Sequence, residues 1–147
     1  MPSPDFATVA LVTVDENVDA FTVGLAENEA GEGAYLILQC AVVPPTAQDV
    51  ATGMDTYCVM DENGVVRYGG IERVELIPAA TDVAASTSTA TLKLRFDEDA
   101  AAELDVESSD RQIALAVPTA RAVELAAGLR RVLTYGPPAR HPDLVGI

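Results

Sequence analysis

One histidine, two cysteines and a scatter of carboxylates are the side chains to weigh first for chemistry. His141 lies in a proline-flanked tail, after Pro137–Pro138 and before Pro142. A Ser/His/Asp or Cys/His centre needs its imidazole held rigidly by a third group. Such a tail does not offer one. Cys40 and Cys58 form no Cys-x-x-Cys pair, and both fall in strand-like stretches. In a reducing cytosol they read as small buried thiols. A disulfide or redox pair stays open, because the Cα separation decides it. Metal sites need clustered His, Cys or carboxylate ligands, and this pattern makes no cluster. No metal and no cofactor is expected.

Paired carboxylates for acid–base work do no better. Glu72 and Glu75 are three apart in a strand-like run, so they point to opposite faces. Asp97, Glu98 and Asp99 gather at a helix start, where a solvated cap favours acids. "DENVD" (15–19) and "DENG" (61–64) resemble pieces of calcium loops. They lack the twelve-residue spacing and the closing Glu, so ordinary turns explain them. Gly31–Glu32–Gly33 and Gly69–Gly70 lack the Lys and the helix of a phosphate loop. The residues point away from an enzyme.

Charge is the strongest global signal. There are 23 acidic and 9 basic residues, a net charge of −14. Residues 1–66 hold 11 acids and no Lys or Arg, while residues 67–147 hold the other 12 acids and all 9 bases. Such a field disfavours nucleic acid and anionic membrane as partners. It favours a basic protein, whose approach it would speed. The plain alternative is a solvated acidic surface that keeps the protein soluble. "MPSPDFATVALV" has no basic start and no long apolar run. No stretch approaches the roughly 20 apolar residues of a membrane span. A soluble, cytoplasmic protein is the expectation.

These side chains need elements to carry them. "FATVALVTV" (6–14) and "AFTVGLAEN" (20–28) read as a β-hairpin closed by Asn17. "AYLILQCAV" (34–42) is apolar on both faces, as a central strand is. Two prolines stop it, and 44–53 reads as a loop with one helical turn. "TYCVM" (56–60) and "VVRYGG" (65–70) flank Asn63–Gly64, the strongest short hairpin signal. Gly69–Gly70 marks a bulge or close backbone approach. "IERVELI" (71–77) and "TLKLRF" (91–96) alternate, with 78–90 a small, polar, flexible loop between them. Asp97 caps a short helix over 98–104, and "RQIALAV" (111–117) is a further strand. Thr119 is the N-cap of the clearest helix, whose apolar face is Ala122, Leu125, Ala126, Leu129, Val132 and Leu133. Leu144, Val145 and Ile147 are placed to dock back onto the sheet. Nothing divides residues 1–147, so one domain is expected. Its class is α+β: a mostly antiparallel sheet of seven or eight strands, one long C-terminal helix packed on one face, and one short helix.

With no catalytic set, the dense 54–76 stretch reads as part of a binding surface. Tyr is enriched at binding hot spots, although half-buried strand packing is the commoner use. The candidate contacts are Asp15, Glu16, Asp19, Glu27, Glu29, Glu32, Asp55, Tyr57, Asp61, Glu62 and Tyr68.

"GMDTYCVMDENG" and "YGGI", then "LKLRF", "DEDAAAEL" and "GLRRVLTYGPP", resemble the immunity protein ten family of bacterial polymorphic toxin systems. Asp55–Thr56–Tyr57–Cys58 and Tyr68–Gly69–Gly70 carry most of the likeness, which runs from about residue 20 to the end. The resemblance implies a cytosolic protein without catalysis or cofactor that binds a cognate toxin domain and blocks it. It carries over no contact residues. A basic toxin such as a nuclease would suit the acidic chain, whose carboxylates would then stand in for phosphates. Two other readings remain: an acidic adaptor or secretion chaperone, and an enzyme or small-ligand protein using a deep carboxylate-lined pocket. The oligomeric state is open, a homodimer included.

Overall fold

The structure is a computed structural model and describes residues 8–28, 30, 34–61, 64–77, 88–103 and 110–147. The cleanest alternating run forms the middle of one sheet. β8 (Ser88–Phe96) turns Ala90, Leu92, Leu94 and Phe96 inward, all buried. It starts three residues before the expected Thr91, because its pairing with β9 (Asp110–Val117) runs out to Val117. β7 (Ile71–Ile77) flanks its other side, also antiparallel. Two very short strands close the edges in parallel: β1 (Thr8–Val9) beside β9 and β10 (Asp143–Val145) beside β7. Short edges leave little backbone for stray pairing. The tail docks as expected, through β10 with Leu144 opposite Val74. Residues 78–87, most of the expected loop, lie outside the described residues.

The second sheet is an antiparallel meander of β2 (Leu11–Glu16), β3 (Ala20–Ala26), β4 (Tyr35–Ala41), β5 (Cys58–Asp61) and β6 (Val66–Tyr68), in that order. Its first turn forms because Asn17 Oδ1 accepts from the amides of Asp19 and Ala20, each at 2.8 Å. Its last turn uses Asp61 Oδ1, which accepts from Val65 N at 3.1 Å, and Gly64 at φ +79°.

Among the described residues, ten strands in two five-stranded sheets replace the expected seven or eight in one. The expected first strand divides at Ala10, so β1 joins one sheet and β2 the other. The chain crosses back at Gly69 and Gly70, both at positive φ. A Cβ on Gly70 would sit 2.7 Å from Ala100 Cβ. The sheets are thus joined at two corners and cup α3 (Thr119–Leu133).

That helix touches β2, β3 and β4 of one sheet and β8 and β9 of the other, so it serves both sheets and not one face alone. Pro118, not Thr119, occupies its cap, and the Pro118 carbonyl accepts from the amides of Arg121 and Ala122. Leu125, Leu129, Val132 and Leu133 are fully buried in one core with Val23, Leu38, Leu92 and Leu115. Gly128 lets the helix close on the sheet: a Cβ there would lie 3.0 Å from Val23 Cγ2.

Two short helices accompany it instead of one. α1 (Ala47–Thr52) has a reciprocal cap between Thr46 and Asp49 and ends at Gly53 in the left-handed conformation. It buries none of its own residues. α2 (Glu98–Glu103) starts where expected, with Asp97 Oδ1 accepting from Ala100 N at 2.7 Å. No helix among the described residues is long and apolar enough to cross a membrane.

Candidate protein-binding face

Strand alternation sends Val12, Val23, Leu36, Leu38 and Val59 of the meander inward, where α3 and the core cover them. The opposite face lies away from α3 and the core; at its Gln39–Cys58–Tyr68 end it shares a hollow with Asp49 of α1, Met54 and Tyr135, and Cys58 there is buried. Register lays it out in rows: Leu11–Ala26–Tyr35, then Thr13–Gly24–Ile37–Met60–Val66, then Asp15–Thr22–Gln39–Cys58–Tyr68. Asp15 is the one charged residue in these rows. Tyr35, Ile37 and Met60 are half-buried by their neighbours, and Val66 and Tyr68 are exposed. Gly24 leaves a shallow depression of about 210 Å³ between Thr13, Tyr35 and Ile37. Exposed Met54, Val50 and Val43 stand near α1. With one charge across three rows, this face has the charge depletion found at the cores of protein interfaces.

Acids ring the patch. Asp19 is exposed at the β2–β3 turn, and Asp49 borders a second hollow with Met54 and Tyr68. Glu27 is exposed, with Oε1 accepting from Ala34 N at 3.1 Å. Glu16 lies off the patch: the register sets it opposite Phe21 on the α3 side of the sheet, where it is exposed and pairs with Arg131, whose guanidinium holds the carboxyl below its ordinary pKa. Arg131 in turn lies 4.2 Å over the Phe21 ring. Glu29, Glu32 and Glu62 fall outside the described residues.

Three of the expected contact residues are buried and face other protein atoms. Asp55 pairs with Arg140, Nη1 to Oδ1 at 2.8 Å. The same Nη1 donates to Gly53 O at 3.0 Å and Nη2 to Tyr68 O at 3.4 Å, so one tail arginine fastens both flanks of β5. Tyr57 is 0% exposed, and its hydroxyl accepts from Ile71 N at 2.9 Å. Burial pushes that hydroxyl up to about 12. Asp61 holds the β5–β6 turn. Among the described 54–76 candidates, Tyr68 alone reaches solvent at the patch.

The other groups weighed for chemistry are also placed. Cys40 and Cys58 are free, and the register sends them to opposite faces of the sheet. Burial pushes the Cys40 thiol up to about 11 and raises Cys58 too, so neither is an activated thiolate. His141 Nε2 lies 3.0 Å from Gly136 O, where it braces the tail. Among the described residues, no three His, Cys, Asp or Glu come together as a metal site.

A family model described as Immunity protein 10 matches residues 7–123. The chain belongs to that family. No curated protein and no solved structure matches it. The Immunity protein 10 match spans the whole meander, both sheet crossings and the first turn of α3. It begins earlier than the expected likeness and ends before "GLRRVLTYGPP" (128–138). Arg140 and the docked tail, which brace the Asp55–Cys58 motif, lie beyond the matched span.

Candidate listing from sequence missed Leu11, Ile37, Met60 and Val66. The signal is in β4, which is apolar on both faces and central in its sheet. Its inner face packs on the core, while its outer face is the patch.

Proposed function

We propose that this protein is a cytoplasmic immunity protein that binds a cognate toxin domain through the outer face of the β2–β6 meander and neutralises it without catalysis. The uncovered apolar face with its acidic margin, in a chain of the Immunity protein 10 family, carries the reading. Ile37, Met60, Val66 and Tyr68 form the centre, and Asp15, Asp19 and Glu27 the margin. Asp55, Tyr57 and Asp61 support this face from beneath. Acids at the margin suit a basic toxin, since they speed its approach and exclude wrong partners.

The test is capture of the neighbouring gene's product, followed by rescue of cells that express it. Ile37→Asp and Met60→Asp each place a charge in the centre without touching the core. We expect each to weaken the complex by about tenfold or more, or ~1.4 kcal/mol. Each should also cost about 1 kcal/mol of stability, since Asp is a poor strand former at a half-buried site, so binding is compared at a temperature where circular dichroism shows both variants folded. Full rescue by both variants would remove this face from the interface. Failure of the wild-type protein to rescue would remove the function itself.

A further inference from the structure

β6 is an edge of the meander, and no strand lies beyond it among the described residues. Its ladder to β5 is fixed at both ends: Asp61 N donates to Val65 O at 3.2 Å, and Gly69 N donates to Tyr57 O at 2.9 Å. Antiparallel bonding alternates between these ends. Arg67 therefore turns its backbone groups to β5, opposite Val59, while those of Val66 and Tyr68 point the other way. Val66 is 50% exposed and Tyr68 37% exposed. The Tyr68 carbonyl meets Arg140 Nη2 at 3.4 Å, which leaves Val66 N–H, Val66 C=O and Tyr68 N–H as the open side of a ladder. Neither a proline nor a bulge blunts this edge. The sheet's other edge differs. Asn17 N donates to Ala20 O, so Val12, Val14 and Glu16 are the outward residues of β2. Of these, Val12 is buried and Glu16 is held by Arg131.

We propose that β6 receives an extended segment of the protein partner, added to the meander as a further strand. The proposal rests on the immunity reading and states how the partner's backbone is engaged. Backbone complementarity selects an extended segment, because a helix consumes its own N–H and C=O groups and offers few to an edge. Side chains of the added strand opposite Val66 and Tyr68 fall on the outer face. They lengthen the rows that end in Met60–Val66 and Cys58–Tyr68, where apolar residues fit. Edge and face then make one continuous contact. A second copy of this chain fits worse. Two chains of net charge −14 repel, and antiparallel self-pairing sets Arg67 against Arg67.

Acetyl-Thr-Val-Thr-Val-Thr-amide, titrated into the full chain and followed by amide chemical shifts, tests the edge. The control peptide carries N-methyl groups on both valines, which keeps the side chains and removes the N–H groups that would face β6. We expect saturable shifts at Val66–Tyr68 from the first peptide, and binding about tenfold weaker or less for the second. Equal binding of the two, or no shift at Val66 and Tyr68, would overturn strand addition. With the neighbouring gene's product as partner, Val66→Pro removes an outward N–H and spares the bonds to β5. Val66→Ala removes only side-chain atoms. With circular dichroism showing both folded, Val66→Pro should hold the partner about tenfold more weakly than Val66→Ala. Equal affinities of the two variants would overturn strand addition and leave the immunity reading standing. A peptide that pairs with β6 of a protein that rescues no cell would sink the immunity reading alone.

Discussion

Tyr57 accepts the Ile71 amide in a site closed to solvent, and that single bond ties β5 to the start of β7. Residue type gave no warning of this, because tyrosine serves equally as interface anchor and as buried post. Position relative to the sheet decided it: Tyr57 and Cys58 must face opposite ways, and the inward place fell to Tyr57. Tyr57→Phe leaves the Ile71 N–H buried without a partner and should cost about 1–3 kcal/mol at neutral pH. Burial raises the hydroxyl from a tyrosine's ordinary 10.0 to about 12. The folded state therefore holds this proton more tightly than the unfolded state. Its contribution is complete below pH 10.0 and is lost as pH rises through about 12. In denaturant titrations, wild-type stability should fall more steeply than that of Tyr57→Phe across this window. Parallel curves would show that Tyr57 is not the group responsible.

Elements were legible where one face meets solvent and the other the core. β8, β9 and the apolar face of α3 follow their periodicities closely. The first strand was not, since "FATVALVTV" carries no mark at Ala10 to show that it changes sheets. Which glycines matter was equally hidden. Gly64 and Gly136 both have positive φ, +79° and +84°. A Cβ on Gly64 meets nothing within 4 Å, whereas one on Gly136 would lie 1.8 Å from Asp55 O. Gly64→Ala should cost about 1 kcal/mol, the conformational penalty alone. Gly136→Ala adds a backbone clash and should cost more than about 3 kcal/mol, by displacing the tail from Asp55. Equal losses in urea unfolding would mean that the tail does not depend on this approach.

Across the whole molecule the charge is polarised. Arg73, Lys93, Arg95 and Arg111 line an open hollow of about 460 Å³ on the first sheet, with Glu75 and Asp110. The patch on the other sheet has acids at its margin and no base in its rows. The imbalance between residues 1–66 and 67–147 thus becomes a polarity between two sheets. A basic partner would be turned toward the patch before contact. Its association rate should fall by about tenfold as ionic strength rises from ~0.01 to ~0.15 M and the Debye length shrinks from about 30 to about 8 Å. Dissociation should change little, because the apolar centre holds the complex. A salt-insensitive association rate would remove steering from the account.

Residue type and local spacing were enough for the α+β class and the acidic first half, and the short motifs Asp55–Thr56–Tyr57–Cys58 and Tyr68–Gly69–Gly70 carried the family resemblance. Burial, sheet membership and the exposed side of β4 required the folded chain. An apolar residue has the same sequence signature whether a helix covers it or nothing does. The placement of α3 against the inner face left Ile37 and Met60 open, while Arg140 of the tail, Ile71 of β7 and the β5–β6 turn hold Asp55, Tyr57 and Asp61 inside.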